Sequence, residues 1–300
     1  MENLHAEIRR LKEEKNAIIL AHYYQTLDVQ DVADVVGDSF EMAKRAKEAS
    51  ESTIVLCGVH FMAESAKILS PEKTVLLPAR DAGCPMADMV TADDVLALRA
   101  RHPAAKVMCY VNSSAAVKAV SDVCCTSSSA VRIAQALDAT EIIFVPDRNL
   151  GRYVADQVPD KQFHFHPGFC PIHDRVTEAQ VQAAKERYPN AVLAIHPECR
   201  EEVLAHADFI GSTAQIIAFA RSSDASEIII GTEIGVLELL ARELPNKKIL
   251  SISQSFVCPN MKKTSLEDVY TALKENSFEI QMSAAEIDAA KLSLERMVSM

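Results

Sequence analysis

Short apolar runs alternate with amphipathic helical patterns along the whole chain, and their order repeats three times. Apolar runs bounded by turn residues read as buried strands. Strands alternating with helical patterns read as βαβ units of a parallel sheet. The first unit opens on the strand "AIILAHYY", the second on "AKVMCYVN" and the third on "AVLAIHPE". Each strand leads to a short helix ending near an aspartate, Asp34, Asp122 or Asp208. Five residues after each aspartate stands a hydroxyl, Ser39, Ser127 or Thr213. A helix follows ("FEMAKRAKEA", "SAVRIAQAL", "AQIIAFAR"), then a strand ("STIVLC", "TEIIFV", "SEIIIG") and a second helix. A last strand, "KTVLLP", "KQFHFH" or "KKILSI", leads to a Cys-Pro step at Cys84, Cys170 or Cys258. Features that keep register over three units mark a repeat architecture. The predicted fold class is therefore α/β, with three homologous units, each a small parallel sheet with helices on both faces.

Helical patterns outside the repeats fall at residues 3–15, 92–101 and 177–188, and at about 265–275 and 283–298. The first and the last two are expected to pack together and close the chain. The expected domains are 1–84 with about 259–300, then 85–171, then 172–258.

The ends of the three opening strands carry paired polar residues: His22 and Tyr24, Tyr110 and Asn112, His196 and Glu198. Residues i and i+2 on a strand share a face. Ligand-binding groups of open parallel sheets gather at the carboxyl ends of strands. Each unit thus offers two polar side chains, a hydroxyl at a helix start and a cysteine near one sheet edge. Three such edges facing a common centre make one composite site.

Composition narrows what that site can serve. With 300 residues and nearly half of them apolar, the chain can bury a sizeable core. The net charge of −11 argues against nucleic acid and anionic membranes as partners. An anionic substrate then needs a local positive feature. No basic-apolar leader opens the chain, and no apolar stretch is long enough to span a bilayer. Eight cysteines without an export signal point to the reducing cytoplasm.

The three Cys-Pro steps stand 86 and 88 residues apart, one unit length. Proline after the cysteine fixes the backbone and removes an amide donor. A turn repeated with its domain is the bland explanation, but a mere turn would accept many residues in place of cysteine. Three thiolates at one centre suit zinc with one open position, or an iron–sulfur cluster with one iron free of protein. Cys57 and Cys109 lie in apolar strands and read as core. The adjacent Cys124 and Cys125 read as structural, and Cys199 as a neighbour of the site. Ser39, Ser127 and Thr213 precede helical patterns, where capping is the ordinary role. Helix N-termini also attract anions, so several facing one cavity would hold carboxylates and a phosphate. Ser128 and Ser212 are placed to share these roles. His22, His196 and Glu198 stand where general acid–base groups are useful. His5, His60, His102 and His206 have no such context.

The segments "AHYYQ", "GDSF", "GCPMADM", "CYVNSSAAVKA", "HPGFCPIH", "HPEC", "GST", "GTEIG" and "CPNMKK" together resemble the quinolinate synthase (NadA) family of NAD biosynthesis. The resemblance runs from about residue 16 to residue 300. It implies three α/β/α domains of three layers each about a pseudo-threefold axis. It implies a [4Fe–4S] cluster at their junction, held by Cys84, Cys170 and Cys258, with the fourth iron open as a Lewis acid. The implied reaction condenses iminosuccinate with dihydroxyacetone phosphate to quinolinate, releasing phosphate and water. By this resemblance His22, Ser39, Tyr110, Asn112, Ser127, His196, Glu198 and Thr213, with Ser212 beside it, contact substrate. Tyr24 and Glu198 act as the acid–base pair with His196 close by. His173 lies near the triose phosphate end and Met261 near the cavity mouth. A Cys-x-x-Cys-x-x-Cys run found around the last ligand in some members is absent, since Ile252 and Ser255 stand at the two earlier places. The implied partners are the two substrates and the enzyme that supplies iminosuccinate. Two other classes remain to be discriminated: a non-catalytic iron–sulfur sensor, which has no use for polar groups at three strand ends, and a zinc lyase on the same scaffold.

Overall fold

The computed structural model describes residues 2–300. The first unit comprises α1 (Glu2–Glu14), β1 (Ala17–His22), α2 (Leu27–Val32), β2 (Val35–Gly37), α3 (Ser39–Glu48), β3 (Thr53–Cys57), α4 (His60–Leu69) and β4 (Thr74–Leu76). The second comprises α5 (Ala92–Arg101), β5 (Lys106–Tyr110), α6 (Ala115–Ala119), β6 (Val123–Cys125), α7 (Ala130–Ala136), β7 (Glu141–Val145), α8 (Arg148–Gln157) and β8 (Gln162–Phe165). The third comprises α9 (Pro171–Asp174), α10 (Glu178–Arg187), β9 (Val192–Ile195), α11 (Glu201–Leu204), β10 (Phe209–Ile210), α12 (Thr213–Ser222), β11 (Glu227–Gly231), α13 (Ile234–Glu243) and β12 (Lys248–Ser251). Two helices close the chain, α14 (Leu266–Glu275) and α15 (Ala284–Ser299).

The three sheets have one topology. Their strand orders are β2-β1-β3-β4, β6-β5-β7-β8 and β10-β9-β11-β12, and every pair within them is parallel. The strands are short and apolar and are buried between helices, as parallel sheets require. The repeated aspartates have a repeated structural use. An Oδ2 of Asp34, Asp122 and Asp208 accepts the amide of Ile19, Val107 and Leu193, each at 2.8 Å. The aspartate amides return a bond to the carbonyls of those same residues at 2.9 Å. Each unit thereby locks the return of its first crossover against its opening strand.

The closing helices part company. α14 packs on α1, and Leu266, Val269 and Leu273 join Ile8, Leu11 and Ile19 in one buried cluster. α15 does not join them: it packs across α4, α6 and β6. There the buried Ser293 hydroxyl donates to Lys118 O at 2.9 Å, which ties α15 to the second unit. The expectation that both terminal helices cover α1 is corrected accordingly. Ile287, Ala290, Leu294 and Met297 of α15 are buried in this packing, a surface that only the two units together provide.

Candidate active site

The carboxyl ends of the three sheets converge on one cavity of about 280 Å³. His22 ends β1 and Tyr24 follows it; Tyr110 ends β5 and Asn112 follows it; His196 and Glu198 lie just beyond β9. All six line the cavity, with Ser39, Ser127, Thr213, His173 and Met261. Cys84, Cys170 and Cys258 line it as well. These three are the half-buried cysteines, whereas Cys57, Cys109, Cys124, Cys125 and Cys199 are buried. So the unit-length spacing does bring three thiols to one space, and the other five stay in the core.

Of the residues predicted for the site, the cavity leaves out Ser128 and, among the substrate contacts, Ser212. Ser212 is fully buried, and its hydroxyl accepts the Gln215 amide at 3.3 Å as the N-cap of α12. The capping roles sit beside the repeated hydroxyls rather than on them. Asp38 caps α3, accepting the Phe40 and Glu41 amides at 3.0 Å, whereas Ser129, at the N-cap of α7, makes no side-chain cap bond and accepts the Thr126 amide at 3.0 Å. Relieved of capping, Ser39 and Thr213 occupy the first helical positions with their hydroxyls at the cavity.

Two histidines are held by the same local device. His22 Nδ1 accepts the Tyr24 amide at 3.1 Å, and His196 Nδ1 accepts the Glu198 amide at 3.3 Å. An imidazole accepting at Nδ1 carries its proton on Nε2 when neutral. Burial holds both rings neutral. The His22 pKa is pushed down to about 3, first by desolvation and then by the neighbouring His196 and Lys262. The His196 pKa is also pushed down to about 3 by desolvation.

Glu198 is the centre of a buried hydrogen-bond chain. Its Oε1 accepts the Tyr110 hydroxyl at 2.6 Å, and its Oε2 lies 2.8 Å from His173 Nδ1. Desolvation alone would raise the carboxyl. The facing His196 and His173 rings, with the bonds from His173 and Tyr110, outweigh it and hold Glu198 well below the usual range. His173 Nε2 lies 3.0 Å from Thr232 Oγ1, and Thr232 Oγ1 lies 2.8 Å from the Tyr24 hydroxyl. The Tyr24 hydroxyl also meets Thr213 Oγ1 at 2.9 Å. Desolvation, reinforced by Glu198, raises both tyrosines well above the ordinary phenol value. At neutral pH His22 and His196 are therefore neutral imidazoles, Glu198 is a carboxylate, and Tyr24 and Tyr110 are phenols. Asn112 adds a buried Oδ1 with no protein partner, an acceptor left for a ligand.

Each cavity cysteine meets amides two or three residues further on: Met86 and Ala87 at Cys84, His173 at Cys170, Asn260 and Met261 at Cys258. The intervening proline turns the chain so that these amides face the sulfur. Three polarised thiols from three units, with no fourth cysteine lining the space, fit a cluster that leaves one metal position free. A second group, His102, Glu141 and His164, is of a different kind. Its two rings stack face to face at 3.5 Å, and His164 Nε2 pairs with Glu141 at 3.0 Å.

The family model for NadA, quinolinate synthetase A protein, matches residues 6–299. The chain belongs to the quinolinate synthase family. Quinolinate synthase of Caldicellulosiruptor saccharolyticus is 51% identical over 300 residues, covering 100% of this chain and 99% of the relative. That of Geobacter metallireducens is 52% identical over 293 residues, with 98% and 96% covered. That of Methanoregula boonei is 50% identical over 297 residues, with 99% and 98% covered. The chain is thus an enzyme of the quinolinate synthase family, which acts in NAD biosynthesis, and the sensor reading falls away. No helix among the described residues is long and apolar enough to cross a membrane.

Several quinolinate synthase site neighbours were not singled out, although "GTEIG" was among the segments that carry the resemblance. Thr232 and Glu233 lie in "GTEIG" and Asp147 in "PDRN", outside the strand-end pairs that drew attention. Phe61 and Arg175 also line the cavity. The place of Asp147 and Glu233 in the repeat, just ahead of each unit's second helix, was the available clue.

Proposed function

We propose that the chain condenses iminosuccinate with dihydroxyacetone phosphate to quinolinate, with loss of phosphate and water. The observation that carries this reading is the convergence of three half-buried cysteines, one per unit, on a cavity that also holds Tyr24 and Glu198. Cys84, Cys170 and Cys258 would hold a [4Fe–4S] cluster. Such a cluster, held by three thiolates, supplies a Lewis-acidic iron to a substrate carboxylate or hydroxyl.

The protein's own groups do the rest. Neutral His22 and His196 offer Nε2–H donors, and Asn112 offers its unpaired oxygen to a donor on the ligand. Ser39, Ser127 and Thr213 offer hydroxyls to substrate carboxylates and a phosphate, and Ser39 and Thr213 do so from the first turns of α3 and α12, where the helix dipole favours an anion. Glu198, held ionised, is the base, and Tyr24, held protonated, is the acid. The chain divides into domains 1–84 with about 259–300, 85–171 and 172–258, with α15 bridging the first to the second, so that each contributes one cysteine at its boundary. Eight free cysteines fit a reducing, cytoplasmic setting.

Anaerobic purification tests the reading directly. About four irons per chain, and quinolinate formed from the two substrates, are expected. Cys170→Ala should lose both iron and activity, and Cys57→Ala should keep both. A colourless protein with one zinc, or equal loss in the two variants, would refute it.

A further inference from the structure

Two buried carboxylates stand behind the cavity cysteines. Asp147 begins α8: its Oδ1 accepts the Asn149 and Leu150 amides at 2.9 and 2.8 Å, and its Oδ2 accepts the Cys170 amide at 2.9 Å. Glu233 begins α13: its Oε2 accepts the Gly235 amide at 2.7 Å and Lys262 Nζ at 3.2 Å, and its Oε1 accepts the Cys258 amide at 3.2 Å. Both side chains are fully buried.

The two occupy one place in the repeat. The residue after each donates its amide to the carbonyl two residues before the cysteine: Arg148 to Gly168 and Ile234 to Phe256, both at 2.8 Å. His60 donates to Ala82 at the same 2.8 Å in the first unit. There the preceding residue is Val59, which has no acceptor, and α4 has no side-chain cap. Two of the three cysteine turns therefore have a carboxylate brace, and the Cys84 turn has none.

We propose that Asp147 and Glu233 are positioning residues that brace Cys170 and Cys258 as metal ligands by holding their backbone amides. The inference rests on the three-cysteine reading above. One carboxylate oxygen caps the helix and the other grips the cysteine amide, so the thiol is fixed to a rigid helix start. The grip thereby fixes the direction in which each thiol faces the cavity, and an outer contact of this kind would tune a bound cluster. The asymmetry makes Cys84 the compliant ligand of the three.

Asparagine and glutamine separate the two jobs of each side chain. In Asp147→Asn the amide oxygen can still cap α8, but the NH₂ then faces the Cys170 amide, donor against donor. Glu233→Gln does the same at Cys258. The test uses anaerobically purified wild type and the two variants, each with its cluster. It measures iron loss to a chelator, the electron paramagnetic resonance spectrum of the reduced cluster, and the melting temperature. Iron should be held about 10–100-fold less well in each variant, with a changed spectrum and a near-wild-type melting temperature. Wild-type iron retention and spectrum in a folded variant overturn the brace while leaving the cluster reading intact. A wild type without iron overturns the three-cysteine reading, and the brace with it. The two variants decide independently, so failure of one to fold leaves the other as the test.

Discussion

Glu198 meets Tyr110 on one oxygen and His173 on the other, and the second path runs on through Thr232 to Tyr24. With the His173 proton on Nδ1 facing the carboxylate, Nε2 accepts from Thr232, whose oxygen accepts from Tyr24. The chain of bonds therefore joins the proposed acid to the proposed base without solvent. Removing the charge at its centre should be costly where a proton has to move. Glu198→Gln should lower kcat about 10²–10⁴-fold while iron content stays at the wild-type level. Thr232→Val interrupts the chain and should lower kcat with a smaller effect on KM, and Thr232→Ser should restore most of the rate. Wild-type turnover in Thr232→Val would show that Tyr24 and Glu198 exchange no proton by this route. Nothing near Thr232 in sequence announces the role, because its partners Tyr24 and His173 lie 208 and 59 residues away.

At the scale of elements, the sequence pattern carried most of the fold. Strand and helix order, the parallel sheets and the repeat follow from apolar runs, helical periodicity and the recurring aspartates. The helix starts were less legible. A run such as "GDSF" or "GSTAQ" offers two or three capping residues in a row, and composition does not say which takes the extended backbone of the cap. Asp38 and Ser212 take it, with ψ near 180° and 169°, and the next residue starts the helix. The shift of one residue separates two functions that the sequence had merged. Ser212→Ala should cost about 0.5–2 kcal/mol of stability in denaturant titration and leave KM nearly unchanged. Thr213→Val should do the reverse, raising KM with little loss of stability. α15 was harder to place, since its docking on β6 and α4 depends on a surface assembled from two units.

At the scale of the whole molecule, the junction of three sheets is where most buried ionisable groups accumulate, and that gives the fold a pH dependence. His22 and His196 are neutral in the folded protein, with pKa values pushed down to about 3 from an ordinary 6.5. Between those values the unfolded chain binds protons that the folded one refuses, so stability falls as pH drops from about 6.5 toward 3. Glu198 acts in the same direction. Its carboxyl is held below the ordinary value of 4.5, so its contribution is present above that value and is lost as the medium becomes more acid. The urea midpoint of the protein should therefore decline from pH 7 to pH 5, where His22 and His196, joined by His166, supply the falling slope, opposed by Asp38, Asp147 and Glu233, whose carboxyls burial pushes up. In a His22→Asn/His196→Asn double variant the same interval should be much flatter, whatever its absolute stability at pH 7. Equal slopes in the two proteins would place the acid-sensitive groups elsewhere in the fold.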